Sequence, residues 1–225
     1  MSFEALGIEE SLLQGINALG FTEPTPIQEK AIPILLSGTK DFVGLAQTGT
    51  GKTAAFGLPL LQLVDSEARH PQALVVCPTR ELCMQITKDI AKFSLHKKSI
   101  KSVAVYGGAS IGDQIRDLKR GVQIVVATPG RLIDLIERKA INLENINYIV
   151  LDEADEMLNM GFREDIEFIL GNTPNRNSIW LFSATMPSEV KQVSKRFMTT
   201  PAEVTIGTGG MVTYNDPELT EMMVP

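Results

Sequence analysis

The sequence predicts an α/β fold, a doubly wound and mostly parallel sheet of about seven strands flanked by helices. Short runs rich in β-branched residues recur at 42–46, 73–77, 102–106, 123–127, 148–151, 178–182 and 203–206. They lack polar alternation, which reads as strands buried on both faces. Between them lie segments with helical apolar spacing, at 26–36, 51–64, 80–93, 130–139, 163–170 and 188–198. The polar clusters "QTGTGKT", "PTREL", "YGG", "TPGR", "DEAD" and "SAT" each follow a strand. In such sheets ligands bind outside the carboxyl ends of the strands, so one edge is expected to carry the chemistry.

In chain order, Leu12, Leu13, Ile16 and Leu19 form one apolar helix face that ends near Gly20. "FTEPTPIQ" then turns the chain into the segment at 26–36, and alternation continues to Ile206. Beyond it, "GTGGMVTYNDPELTEMMVP" holds turn formers, little periodicity and no positive charge. Residues 1–206 are therefore expected to be one domain and 207–225 a linker or tail.

With 225 residues, 44% of them hydrophobic and 21% charged, the chain has ordinary globular composition and can bury a large core. No apolar run approaches bilayer length, and "MSFEALGIEE" lacks the basic start and apolar middle of a signal peptide. The expectation is a cytoplasmic, monomeric domain with no membrane partner. Cys77 and Cys83 carry no metal-ligand spacing and read as reduced, packed thiols. His70 and His96 are isolated and support no metal site. The net charge of −6 is uneven: residues 1–29 carry five acids and residues 203–225 four, neither with a base. Residues 80–139 hold twelve Lys or Arg against six acids. A polyanion partner is expected at that local surface only, with lysines such as Lys97 and Lys98 reading as a solvated face.

"AQTGTGKT", Ala46 to Thr53, follows a strand and opens a helix, the setting that gives a phosphate-loop match its meaning. Gly49 and Gly51 let the backbone turn its N–H groups towards an anion, while Gln47, Thr48 and Thr50 complete the curl. Lys52 supplies charge for terminal phosphates, and the Thr53 hydroxyl suits Mg²⁺. Ala46 stands where the usual pattern has its first glycine. In "YIVLDEADEML", a buried strand runs into Asp152, Glu153, Asp155 and Glu156. Nucleotide hydrolysis needs Mg²⁺ near Thr53 and a group that orients or deprotonates water. Asp152 is the expected Mg²⁺ partner and Glu153 the expected base. Glu156 reads as an ordinary acid of a helix start.

With these motifs, the chain resembles the first of the two RecA-like domains of DEAD-box ATP-dependent RNA helicases, in wording closest to bacterial members. The match covers nearly all of residues 1–206 in the right order. The resemblance implies ATP or ADP with Mg²⁺ as ligands, RNA as partner and unwinding of short duplexes as the coupled work. It places adenine on "GFTEPTPIQ", with Gln28 pairing to the base edge, Phe21 stacking, Thr25 nearby and Phe3 bracing the segment; read singly, both Phe side chains would be core residues. It makes Asp155 the acceptor for the hydroxyls of Ser183 and Thr185, coupling nucleotide state to unwinding. A helix cap by Thr185 or Ser188 is the alternative for "SATM". Thr79, Arg80, Gly108, Thr128 and Arg131 become contacts to RNA phosphate and sugar, a type that reads little sequence. Singly, "TPGR" is a turn with a helix-starting Pro. Cys83 replaces the family's Ala after "PTREL", and a small packed side chain is expected to serve there.

The family's "HRxGRxGR" signature is absent from these 225 residues, so a second RecA-like domain is expected to act in cis in a longer protein or in trans. Loss of an arginine finger costs roughly 10³ to 10⁵ in rate in comparable reactions. The chain is thus expected to bind adenine nucleotide weakly and hydrolyse it poorly. The alternative is a non-catalytic nucleotide- and RNA-binding fragment. A DNA helicase is disfavoured by "DEAD" occurring with the Gln28 segment, and a GTPase by the lack of "NKxD".

Overall fold

Each apolar run is a strand, and the sheet has one strand more than the sequence suggests. A computed structural model describes residues 1–218. The strands are β1 (Phe42–Leu45), β2 (Ala73–Val76), β3 (Ser102–Val105), β4 (Ile124–Ala127), β5 (Tyr148–Leu151), β6 (Ser178–Ser183), β7 (Ala202–Ile206) and β8 (Val212–Asn215). They lie in the order β3, β4, β2, β5, β6, β1, β7, β8. All pairs are parallel except β7 with β8.

The helices are α1 (Glu10–Ala18), α2 (Pro26–Leu35), α3 (Lys52–Leu63), α4 (Arg80–Phe93), α5 (Ile111–Lys119), α6 (Pro129–Glu137), α7 (Ala154–Asn159), α8 (Arg163–Gly171) and α9 (Ser188–Phe197). Side chains of successive strand residues point to opposite faces, and both faces are apolar here. In β2, Ala73 and Val75 join the core under α1 to α4, while Leu74 and Val76 join the core under α5 to α9. Burial on both sides is why these strands show continuous apolar runs instead of alternation.

Three local differences from the sequence expectation have physical causes. Leu12 and Ile16 are fully buried, but Leu19 follows the end of α1 and is 40% exposed. The helix α5 lacks a wide apolar stripe and buries only Gln114 and Leu118. The expected boundary at 206 falls inside the sheet, because β8 pairs with β7 from Glu203↔Asn215 to Ile206↔Val212. As an edge strand, β8 is almost wholly exposed, so it carries no apolar signature. Lys40 ties its end down through Asp216 at 2.9 Å and Glu218 at 2.5 Å. The remainder of the expected tail, 219–225, lies outside the described residues.

Candidate nucleotide site and nucleic-acid face

β1 delivers the chain into a loop that curls into α3, with Gly49 at φ 78° and Gly51 at φ 86°. A Cβ at Gly51 would lie 2.4 Å from Gln28 Nε2, so the close approach as well as the positive φ requires glycine. The loop is folded on itself. Lys52 Nζ donates to the Ala46 carbonyl at 3.1 Å, and Thr50 Oγ1 donates to the Gln47 carbonyl at 2.7 Å. The Ala46 N–H donates to the Ser183 carbonyl at 3.0 Å, joining this loop to the end of β6.

Gln28 closes the other side. It sits in the first turn of α2 and is 3% exposed. Its Nε2 donates to the Gly51 carbonyl at 3.0 Å, and its Oε1 accepts the Thr25 N–H at 2.9 Å. One N–H and one lone pair of the amide stay available for a base edge. Beside it, Thr25 Oγ1 is buried and faces the Gln28 N–H in a capping box. Phe21 packs between Phe3, at 6.5 Å, and Phe93, at 5.9 Å. The resulting cavity of about 500 Å³ brings together Phe21, Gln28, Thr48, Lys52, Thr53, Asp152 and Glu153.

The carboxylates enter from the end of β5. Asp152 is 3% exposed, and its N–H donates to the Val76 carbonyl of β2 at 2.9 Å. Burial pushes its carboxyl up to about 6, with the Lys52 ammonium pulling the other way. Glu153 occupies the left-handed region at φ 51°, ψ 50°, and its N–H donates to Asp152 Oδ1 at 3.0 Å. A non-glycine residue held there stores strain, and it ends the strand abruptly so that α7 starts at Ala154. Asp155 Oδ2 accepts from Thr185 Oγ1 at 2.8 Å and from the Thr185 N–H at 3.1 Å. Ser183 engages Asp155 twice: its Oγ accepts the Asp155 N–H at 3.1 Å, and its hydroxyl helps hold the Asp155 carboxylate. Neither Thr185 nor Ser188 caps α9, whose N-cap is Pro187.

A second constellation lies at the ends of β2, β3 and β4. Thr79 is the N-cap of α4, its Oγ1 accepting the Leu82 N–H at 3.2 Å. Among the described residues the hydroxyl proton of Thr79 has no acceptor. The Arg80 guanidinium lies 5.0 Å over the Tyr106 ring. Gly108, at φ 84°, passes below it, and Arg80 Nη1 is 3.4 Å from where a Cβ would stand. Thr128 is the N-cap of α6 and makes no capping bond through its side chain. Arg131 Nη1 donates to the Ala109 carbonyl at 3.1 Å and to Gln114 Oε1 at 2.9 Å.

A family model described as DEAD/DEAH box helicase matches residues 25–193. The chain belongs to this family. It is 48% identical over 215 residues to the DEAD-box ATP-dependent RNA helicase CshA of Bacillus subtilis, covering 96% of this chain and 43% of that protein. Identity to the ATP-dependent RNA helicase CshA of Listeria monocytogenes is 50% over 204 residues, covering 91% of this chain and 39% of that one. The chain thus spans about two fifths of the length of the curated relatives it matches. Among solved structures, a DEAD box protein from Methanococcus jannaschii superposes with a TM-score of 0.86 at 43% identity, covering 90% of this chain and 55% of that chain. A hypothetical ATP-dependent RNA helicase from Sulfolobus tokodaii gives 0.80 at 42% identity, covering 87% and 56%.

This DEAD/DEAH box chain also uses residues that the sequence reading passed over. Leu19, Asp89, Lys92 and Phe93 line the cavity beside Phe21. Asp89 and Phe93 stand two and three turns beyond Leu82 on α4, a spacing that was legible in the sequence. Tyr106 and Gln114 gave no signal of their own. Lys97, read as solvated, pairs with Glu9 at 2.7 Å and donates to the Leu61 carbonyl at 3.0 Å, because the end of α4 packs beside the entry to α1. Both cysteines are buried free thiols, and Cys83 Sγ lies 3.2 Å from the Val126 carbonyl. Among the described residues, no helix is long and apolar enough to cross a membrane.

Proposed function

We propose that this chain is the ATP- and RNA-binding domain of an ATP-dependent RNA helicase. One observation carries the reading. The phosphate loop after β1 and the carboxylates after β5 line one cavity together with Gln28 and Phe21. The fit to nucleotide and Mg²⁺ rests on the chain's own atoms. At Gly49 an added Cβ would meet nothing within 4 Å, leaving the loop open to an anion. Buried Asp152 faces the Lys52 charge.

In this mechanism Lys52 leaves the Ala46 carbonyl to meet the terminal phosphates, and the loop N–H groups bind the phosphates between. Thr53 and Asp152 would hold Mg²⁺, which neutralises developing charge on the phosphates. Glu153 orients and accepts a proton from the attacking water. Gln28 reads the adenine edge while still gripping the loop through Gly51, and Phe21 stacks on the base. Asp155, Ser183 and Thr185 tie this centre to the end of β6. Thr79, Arg80, Gly108, Thr128 and Arg131 bind RNA phosphate and sugar. The domain works in the cytoplasm as a monomer, with a second RecA-like domain in cis in the longer protein supplying arginines and the rest of the RNA groove. Residues 1–206 carry these sites.

Calorimetric titration with ADP and ATP tests the site. Lys52→Ala and Gln28→Ala are expected to weaken binding; wild-type affinity in both sinks the assignment. Single-turnover hydrolysis is expected to be slow for this chain and to rise when a second domain and RNA are added. Brisk RNA-stimulated turnover by the chain alone would overturn that division of labour.

A further inference from the structure

We infer that Gln114 is a positioning residue for the RNA face, aiming Arg131 at the RNA backbone; this rests on the RNA-binding reading above. Gln114 is 6% exposed on a helix whose other buried residue is Leu118. A buried amide needs partners, and both of its ends have them. Its Oε1 accepts from Arg131 Nη1 at 2.9 Å, and its Nε2 donates to the Tyr106 carbonyl at 3.0 Å.

The carbonyl it satisfies is one that the sheet cannot. β3 is the edge strand, with β4 on one side only. The Val105 carbonyl turns inward to the Thr128 N–H at 3.0 Å, so the next carbonyl, that of Tyr106, turns outward. Gln114 meets it there and holds the start of the Gly107–Gly108 turn. The ring of the same Tyr106 carries the Arg80 guanidinium. One side chain thus braces the loop that lies between two arginines from different helices.

The orientation of Arg131 follows from donor counting. A guanidinium has five N–H donors. Both protons of Nη1 are used, one on Gln114 and one on the Ala109 carbonyl. Nε and Nη2 make no hydrogen bond or ion pair among the described residues, and Arg131 is only half-buried, which leaves the other edge of the plane to take a phosphate. An arginine anchored by one edge loses less freedom when the other edge takes a phosphate. Gln114 therefore contributes to RNA affinity without touching RNA.

The test is equilibrium binding of a short single-stranded RNA to the wild type, Gln114→Leu, Gln114→Glu, Arg131→Ala and the Gln114→Leu/Arg131→Ala double variant, across salt concentrations. Gln114→Leu is expected to raise Kd roughly tenfold, the scale of one charged hydrogen bond. It should also flatten the salt dependence by about 0.7 in log–log slope, one phosphate contact. The double variant is expected to bind no worse than Arg131→Ala, the signature of two residues acting as one. Gln114→Glu keeps an acceptor for Arg131 but loses the donor to the Tyr106 carbonyl, so it is expected to weaken binding as well, and wild-type affinity in it would remove the Tyr106 brace from the proposal. ATP affinity should not move in Gln114→Leu. If Arg131→Ala weakens binding while Gln114→Leu matches wild type, or if the two losses add, Gln114 has no positioning role. If Arg131→Ala itself binds RNA as wild type does, the RNA reading of this face fails instead.

Discussion

Lys52 Nζ donates to the carbonyl of Ala46, 3.1 Å away, inside its own phosphate loop. Lys52 is buried in this position, 8% exposed, and in the proposed mechanism phosphate oxygens would take the place of the carbonyl. Removing the side chain frees one carbonyl and deletes one charge. Lys52→Ala is expected to change thermal stability little and to weaken ADP and ATP binding at least tenfold, the loss of a charged hydrogen bond. Calorimetry beside a thermal melt separates the two effects.

Gly15 on α1 lies against the end of α4, where an added Cβ would stand 2.3 Å from the Phe93 carbonyl oxygen. Backbone cannot give way as a side-chain tip can. Gly15→Ala should push the helices apart and destabilise the fold by about 1–3 kcal/mol. Because Phe93 packs on Phe21, nucleotide affinity should fall as well; urea unfolding and ADP titration on one preparation read both.

Asp41 joins elements far apart in the chain. Its Oδ1 accepts the Ile179 N–H at 2.7 Å and its Oδ2 the Thr199 N–H at 2.6 Å, tying β1 to β6 and to the turn after α9. Asp41→Ala leaves both amides without the carboxylate and is expected to cost about 2–4 kcal/mol in urea unfolding. An unfolding midpoint equal to wild type would refute the tie.

Asp155 gives a pH signature. Burial pushes its carboxyl up, but the Thr185 and Ser183 hydroxyls and the Glu156 and Thr185 N–H groups outweigh this and hold it below 3.8. A depressed carboxylate adds stability above its unfolded pKa and loses it as pH falls through the folded one. Thr185→Val is expected to cost about 1 kcal/mol at pH 7. The gap between variant and wild type should narrow as pH falls through the depressed pKa of Asp155, which unfolding curves at neutral and acid pH would show.

Cys77 and Cys83 are fully buried. The neighbouring Cys83 thiol, followed by burial, pushes the Cys77 thiol far up. Thiol reagents need the thiolate, so the native chain is expected to resist labelling at neutral pH and to label at both positions once unfolded.

The strands from β1 to β7, the phosphate loop and the strand-end motifs were all legible because each is written locally. Continuous apolar runs report burial on both faces, and Gly49, Gly51 and Lys52 report a strand-to-helix turn made for an anion. The strand β8 was not legible: three of its four residues are exposed, Val212 is half-buried, and they gain their state only by pairing with β7. Lys97 looked like any surface lysine, since Glu9 is 88 residues away in sequence, and nothing in either neighbourhood announces the pair.

The sequence by itself determined the strands from β1 to β7, the order of the motifs at their ends and the residue types of the phosphate loop and the carboxylates. Local periodicity and turn chemistry suffice for those. Only the tertiary structure decided which partners those residues take: Gln28 on the Gly51 carbonyl, Ser183 under the Asp155 N–H, Gln114 between Tyr106 and Arg131. Such pairings depend on which loops the parallel crossovers bring to one edge of the sheet. A hydrogen bond needs its partner within about 3 Å, a distance that spacing along the chain does not specify.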